Sequence, residues 1–168
     1  LLSFLLSLSM CLCEHYLGCS ADSVILYFYS RINLARCPSF VVEDFEENGW
    51  QIWYVSDMKK YCGHEEALGA TVRPFKKIYL KEEYIARHWS SDALLHEMGH
   101  FAVSHYDLME QAENCYKSEA QSLATFLNSS YCTKNADEFF ATAFSLYMRG
   151  KDFHRVAPAV YQLIEDTF

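Results

Sequence analysis

Apolar positions along the chain follow two regimes. From Ser91 onward they recur at spacings of three and four: Leu94, Leu95, Met98, Phe101 and Ala102, then Phe140, Ala143, Phe144 and Tyr147. That period marks helices with one buried face. Asp92 stands where a carboxylate favours a helix start, and Asn135 is a predicted N-cap for a helix over Ala136–Arg149 that Gly150 ends. The polar stretch Glu110–Glu119 is expected to lead into another helix closing near Asn128, and Pro158 to open a last one. Nearer the N-terminus, Ser23–Leu34 (SVILYFYSRINL) predicts an apolar helix. Ser39–Glu47 predicts a second, with Val41, Val42 and Phe45 on one side and Asn48-Gly49 as its stop. Gln51–Val55 (QIWYV) and Lys77–Leu80 (KIYL) are rich in β-formers and predict short strands. Ser56–Thr71 between them reads as irregular, with a short strand at its end. The predicted class is α+β, a small early sheet followed by a helical C-terminal part.

Composition narrows this picture. A chain of 168 residues, 51% hydrophobic, can bury one core and is too short for two ordinary domains. A formal charge of −8 without a run of Lys or Arg argues against nucleic acid and against an anionic membrane surface as partners. No internal stretch reaches the ~18–20 apolar residues that span a bilayer, so stable membrane insertion is not expected.

The N-terminal run Leu1–Cys13 (LLSFLLSLSMCLC) has the character of a secretory signal core whose basic leader is missing, and Cys19-Ser20-Ala21 offers small residues for cleavage before Asp22. The expected organisation is therefore a signal peptide over 1–21 and one domain over 22–168, in a secreted protein. A buried N-terminal helix is the alternative for the same run. The mature chain would keep Cys37, Cys62, Cys115 and Cys132, an even number compatible with two disulfides or with four buried thiols. None has the CxxC spacing of a structural zinc site.

The chemistry sits in Leu94–Tyr106, LLHEMGHFAVSHY. Residues four apart share a helix face, so His96 and His100 can converge on one ion, and Glu97 lies about 100° round, on the flank of that face. Two imidazole ligands beside a carboxylate base is the HExxH logic of zinc hydrolysis. Gly99 costs such a helix roughly 1 kcal/mol relative to Ala, which points to close packing. The HExxHxxGxxH variant is excluded, because positions 103 and 106 hold Val103 and Tyr106. His105 is rotated roughly 140° from His100 and reads as a surface residue. A third ligand must come from elsewhere. Glu113 and Glu119 lie in the polar stretch and are most simply solvated, while Asp137 and Glu138 fall in a first helical turn, where stabilising the helix dipole already accounts for them. Glu138 shares a face of small and polar residues with Ala141, Thr142 and Ser145, and spacing ranks it only slightly above Glu119.

HEMGH followed by YCTKNADEFFATAF (Tyr131–Phe144) resembles the catalytic domain of anthrax lethal factor and the related secreted Pro-Pro endopeptidases. Their shared pattern is HExxH, then a Tyr seven residues before a Glu that opens an EFFA-type helix. The resemblance extends upstream through PSFVVEDFEENGWQIWYVSD and RPFKKIYL and downstream to APAVYQLI. It implies a gluzincin-like zinc endopeptidase acting as a monomer on extended segments of peptide or protein substrates. One zinc ion per chain would be held by His96, His100 and Glu138. Glu97 would act as general base, and Tyr131 would stabilise the oxyanion. It further implies that a substrate peptide adds as a strand to Lys77–Leu80. The alternatives are a catalytically inactive peptide-binding module or a host-directed toxin component on the same fold. Cys132 departs from the pattern. A disulfide from Cys132 to Cys115 would tie the loop that carries Tyr131, whereas a free Cys132 thiol could itself ligate the metal. The docking domains of the anthrax protein lie outside the resemblance, so its target class does not carry over, and the proline preference belongs to the small secreted relatives.

Overall fold

A computed structural model describes residues 21–88 and 91–168. The chain runs α1 (Ala21–Leu34), α2 (Ser39–Glu47), β1 (Gln51–Val55), α3 (Met58–Cys62), β2 (Gly69–Val72), β3 (Lys77–Lys81), α4 (Glu82–Arg87), α5 (Ala93–His105), α6 (Met109–Leu127), α7 (Ala136–Met148) and α8 (Pro158–Thr167). Single 3₁₀ turns follow β2, at Arg73–Phe75, and precede α7, at Tyr131–Thr133. This is a mixed α+β architecture dominated by helices. The predicted signal run Leu1–Cys13, with Cys11, Cys13 and Cys19, lies outside the described residues. No helix among the described residues is long and apolar enough to cross a membrane.

The elements form largely where the patterning places them; helix α4 (Glu82–Arg87) lies outside the predicted elements, and three further differences stand out. The polar stretch Glu110–Glu119 is itself helical, part of the 19-residue α6. Its buried positions, Ala112, Cys115, Glu119, Ala120, Leu123 and Ala124, make a narrow stripe of mostly small side chains that the polar majority hides. The segment after β1 contains α3, whose first turn is capped by Asp57 accepting from the Lys60 amide at 3.1 Å. Glu119 is buried rather than solvated: its two oxygens accept from the Ala159 and Val160 amides at 2.7 and 3.0 Å. Those amides are among the unpaired donors at the start of α8, so Glu119 caps that helix and takes no part in the candidate metal centre.

The sheet has strand order β1-β3-β2, with β1 and β3 parallel (Trp53 opposite Tyr79) and β2 and β3 antiparallel (Thr71 opposite Ile78). The expectation that Lys77–Leu80 offers a free edge is therefore overturned. This strand is central, paired on both sides and buried at Ile78, Tyr79 and Leu80, as a strand covered on both faces must be. Ile78 and Leu80 face the main core, and Tyr79 packs with Val55 and Met58. The strand against α5 is β2, which carries no further strand on its other side among the described residues.

Helix α5 is apolar nearly all round and lies in the middle of the core. Leu94, Leu95, Met98, Phe101, Ala102 and Val103 have no exposed surface, and each large side chain among them contributes about 1.5–3 kcal/mol by leaving water. Its N-terminus is tied down twice. The Leu94 amide donates to Tyr29 Oη of α1 at 3.0 Å. Asp92 accepts from Ser145 at 3.2 Å and from Arg149 at 2.8 Å, at the far end of α7. Asn135 caps α7 as expected, accepting from the Glu138 amide at 2.9 Å.

Helices α5 and α7 meet at Gly99. A Cβ built there would stand 2.6 Å from Ala141 Cα and 3.1 Å from the Ala141 carbonyl oxygen, both backbone atoms that cannot swing away. Gly99→Ala gains about 1 kcal/mol of helix propensity but must push the helices apart, at a cost of ~1–3 kcal/mol. The variant should be net destabilised in urea unfolding; a stabilised Gly99→Ala would contradict the close crossing.

Candidate metal centre

Three side chains from two helices converge beside the Gly99 crossing. His96 and His100 point from consecutive turns of α5, with ring centroids 4.9 Å apart. Glu138 reaches them from the first turn of α7: its Oε2 lies 3.0 Å from His96 Nε2 and 3.5 Å from His100 Nε2. One donor atom from each residue falls within 4.8 Å of the other two, so the three can hold a single ion. Two imidazoles and one carboxylate are a donor set suited to zinc and leave further coordination positions open. The remaining Glu138 oxygen, Oε1, accepts from Tyr131 Oη at 3.2 Å.

Glu97 sits on the same helix with 5% of its surface exposed. Thr71 Oγ1 of β2 donates to its Oε2 at 2.7 Å and lies 3.1 Å from its main-chain oxygen. Gly69, two residues back on the same strand face, leaves the space the carboxylate occupies: a Cβ there would come within 2.6 Å of Glu97 Oε1. Burial pushes the Glu97 carboxyl above the usual carboxylate range, against the pull of His100, His96 and the Thr71 hydrogen bond. The Tyr131 phenol is pushed up to about 12, by burial and by the neighbouring Glu138 charge, and so remains a donor. Lys134 Nζ lies 3.6 Å from the centre of the Tyr131 ring.

The two acids at the start of α7 divide the work. Asp137 does not join Glu138; its Oδ1 is 2.8 Å from His100 Nδ1, on the opposite edge of that ring. Arg73, in the turn after β2, brings Nη2 within 2.9 and 2.8 Å of the two Asp137 oxygens and donates to the His100 carbonyl oxygen at 3.2 Å. His105 is outside the site, stacked on Phe101 and 3.6 Å from Asp44.

The expected residues His96, Glu97, His100, Tyr131 and Glu138 are thus brought together, and Glu119 is not. Thr71, Arg73 and Asp137 are absent from the sequence-based site. The signal that could have found the first two is the two-residue alternation Gly69, Thr71, Arg73 along a strand and into the turn after it, which becomes meaningful only once that strand is laid against α5. The expected link from Cys132 to Cys115 is corrected. All four described cysteines are free. Cys132 is directed at the Ala120 carbonyl, 3.8 Å away, and Ala120 lies ~7.5 Å along α6 from Cys115. What holds the Tyr131 turn instead is Tyr116, whose hydroxyl donates to the Thr133 carbonyl at 2.6 Å.

The fold and site define a mixed α+β protein, mostly helical, in which three side chains could hold one metal ion beside a buried carboxylate. The family model for anthrax toxin lethal factor, N- and C-terminal domain, matches residues 43–167. The chain belongs to that family. No curated protein and no solved structure matches it.

In the metal-free protein, burial would lower His100, but its hydrogen bonds to Asp137 and Glu138 outweigh burial and carry it from 6.5 to about 9. Burial would raise Glu138 and Asp137, but the hydrogen bonds from the histidines, joined at Asp137 by Arg73, hold both below the carboxylate range. The folded state thus keeps a proton that the unfolded chain releases between pH 6.5 and about 9, so this contribution to stability falls as pH rises through that window. Glu97, also raised by burial, has the same sign, its contribution falling as pH rises from the ordinary Glu value of 4.5. Below the ordinary Glu value of 4.5 the sign reverses, because the unfolded carboxylates take up protons the folded ones refuse. Thermal unfolding of chelator-treated protein should show its highest Tm between these limits. A Tm that stays level or rises from pH 6.5 to 9 would contradict the arrangement.

Proposed function

We propose that the chain is a zinc-dependent endopeptidase that hydrolyses peptide bonds in extended protein segments and works, as a monomer, outside the cell. The observation that carries this reading is the convergence of His96, His100 and Glu138 with Glu97 held at their flank. Zinc bound by three protein ligands would supply a Lewis acid that polarises a carbonyl and lowers the pKa of a bound water toward ~7. The residues of the chain do the rest. Glu97, with its pKa raised by burial and one oxygen fixed by Thr71, takes the proton of the attacking water and passes it to the leaving amine. Tyr131 donates to the oxyanion that develops on the carbonyl, a contribution of about 10²–10³ in kcat for a comparable donor.

Strand addition remains part of this reading, moved to β2. Its residues alternate: Ala70 and Val72 pack with the Tyr79 side of the sheet, and Gly69 and Thr71 face Glu97. The Leu68 carbonyl accepts from the Lys81 amide, so the alternation of an antiparallel pair turns the backbone groups of Gly69 and Thr71 outward. A peptide paired there would run past the base and the metal ligands. Peptides N-methylated at the amides that would pair should lose cleavage at otherwise good sites; equal cleavage of both forms would rule out pairing at β2.

The enzyme itself is tested by a complex peptide library read by mass spectrometry, comparing zinc-loaded wild type with Glu97→Ala. Cuts should appear with the wild type alone, while Glu97→Ala keeps its zinc. Equal cutting by the variant would sink the role of Glu97, and a zinc-loaded wild type that cuts nothing would favour a peptide-binding module.

A further inference from the structure

We infer that Asp137, clamped by Arg73, is a positioning residue that fixes His100 as a metal ligand, an inference that rests on the metal reading above. His100 has two ring nitrogens with different surroundings. Nε2 turns toward Glu138 Oε2 and the other ligand histidine, whereas Nδ1 meets Asp137 Oδ1 at 2.8 Å. A carboxylate accepting at Nδ1 keeps the proton on that nitrogen. The Nε2 lone pair is then free for a metal, the ring is locked in rotation, and the imidazole becomes a stronger donor.

Asp137 is in turn not free to move. Arg73 Nη2 spans both of its oxygens at 2.9 and 2.8 Å, and the same nitrogen donates to the His100 carbonyl at 3.2 Å. One guanidinium therefore holds His100 at both ends, through Asp137 at the ring and directly at the main chain. Dipole stabilisation does not account for this geometry. A carboxylate serving only the N-terminus of α7 has no need of a ring nitrogen from α5 or a guanidinium from the turn after β2. His96 meets Glu138 and the His100 and Tyr131 rings, and among the described residues no carboxylate or guanidinium clamps it in the same way, so the pair acts on one ligand of the two.

Metal affinity, measured without reference to activity, separates positioning from mere structural support. Zn²⁺ binding is read by competition with a chromophoric chelator, and the ligand field by the visible absorption of bound Co²⁺, for wild type, Asp137→Asn, Arg73→Met and the double variant. Asp137→Asn should bind Zn²⁺ about 10–100-fold more weakly and alter the Co²⁺ spectrum. Arg73→Met should weaken binding in the wild-type background and cost clearly less in the Asp137→Asn background, because its hold on the ring passes through Asp137 and only the main-chain contact remains. If Asp137→Asn does not fold, Arg73→Met alone carries the test, with a loss of about tenfold expected. Wild-type protein that binds Zn²⁺ while Asp137→Asn or Arg73→Met binds it equally well would overturn the inference and leave the metal reading standing. Additive losses in the double variant would overturn the relay. Wild-type protein that takes up no Zn²⁺ would overturn both.

Discussion

The contact on which the rest depends is the approach of Gly99 to Ala141. Gly99 stands between His96 and His100 on α5, and Ala141 follows Glu138 by three residues on α7, so the point of closest contact lies within a turn of every candidate ligand. The close approach brings ligands carried on two helices within reach of one ion. A methyl group at position 99 would meet backbone on α7 at 2.6 Å. The glycine costs helix propensity, and the buried apolar surface of Leu94, Leu95, Met98 and Phe101 offsets that cost. Asp92, joined to Ser145 and Arg149, closes the far end of the same helix pair, so the crossing is pinned on both sides of the site.

Three acids occupy this small volume, and their environments set their roles apart. Glu138 is surrounded by imidazoles, which hold it ionised, as a metal ligand would have to be. Asp137 lies between an imidazole and a guanidinium and is likewise held ionised. Glu97 is the most buried of the three and has a hydroxyl rather than a cation as its hydrogen-bond partner, so burial dominates and its pKa rises. A general base benefits from a pKa nearer the operating pH, and a ligand or an orienting carboxylate benefits from a low one. Like-charge crowding is relieved because each acid answers to a different element: α7 facing α5, α7 facing the turn after β2, and α5 facing β2.

Much of this was legible in the sequence, and what was not has physical causes. His96, Glu97 and His100 are local: one helix and one period place them. Asn135 as a cap and Gly150 as a stop follow from backbone requirements that any helix end shares. Glu138 was only one of four acids until the resemblance singled it out, because a ligand's partner lies 42 residues away and spacing carries no such information. Glu119 misled for a related reason. A carboxylate among polar residues looks solvated unless the helix it caps, opened by Pro158, is known to start beneath it. Lys77–Leu80 misled because an apolar run marks a buried strand without saying on which side its neighbours pair, and here both edges are occupied.

Moving the free edge from β3 to β2 changes what the strand can do. In β3 the buried run Ile78–Leu80 is committed to the core on both faces, and a peptide could reach it only by displacing a strand. In β2 one backbone edge carries no further strand among the described residues, and one side-chain face meets the candidate site: Gly69 leaves room for the Glu97 carboxylate, Thr71 anchors it, and Arg73, just beyond the strand, reaches Asp137 and the His100 main chain. The period of two that turns these residues toward α5 also keeps Ala70 and Val72 in the sheet's other face, so the strand cannot slip register without releasing both carboxylates. A peptide bound along that edge would stiffen the element that positions the base and the ligand. Under the proposed function, peptide binding and site geometry would therefore be coupled through five residues of one short strand and its turn.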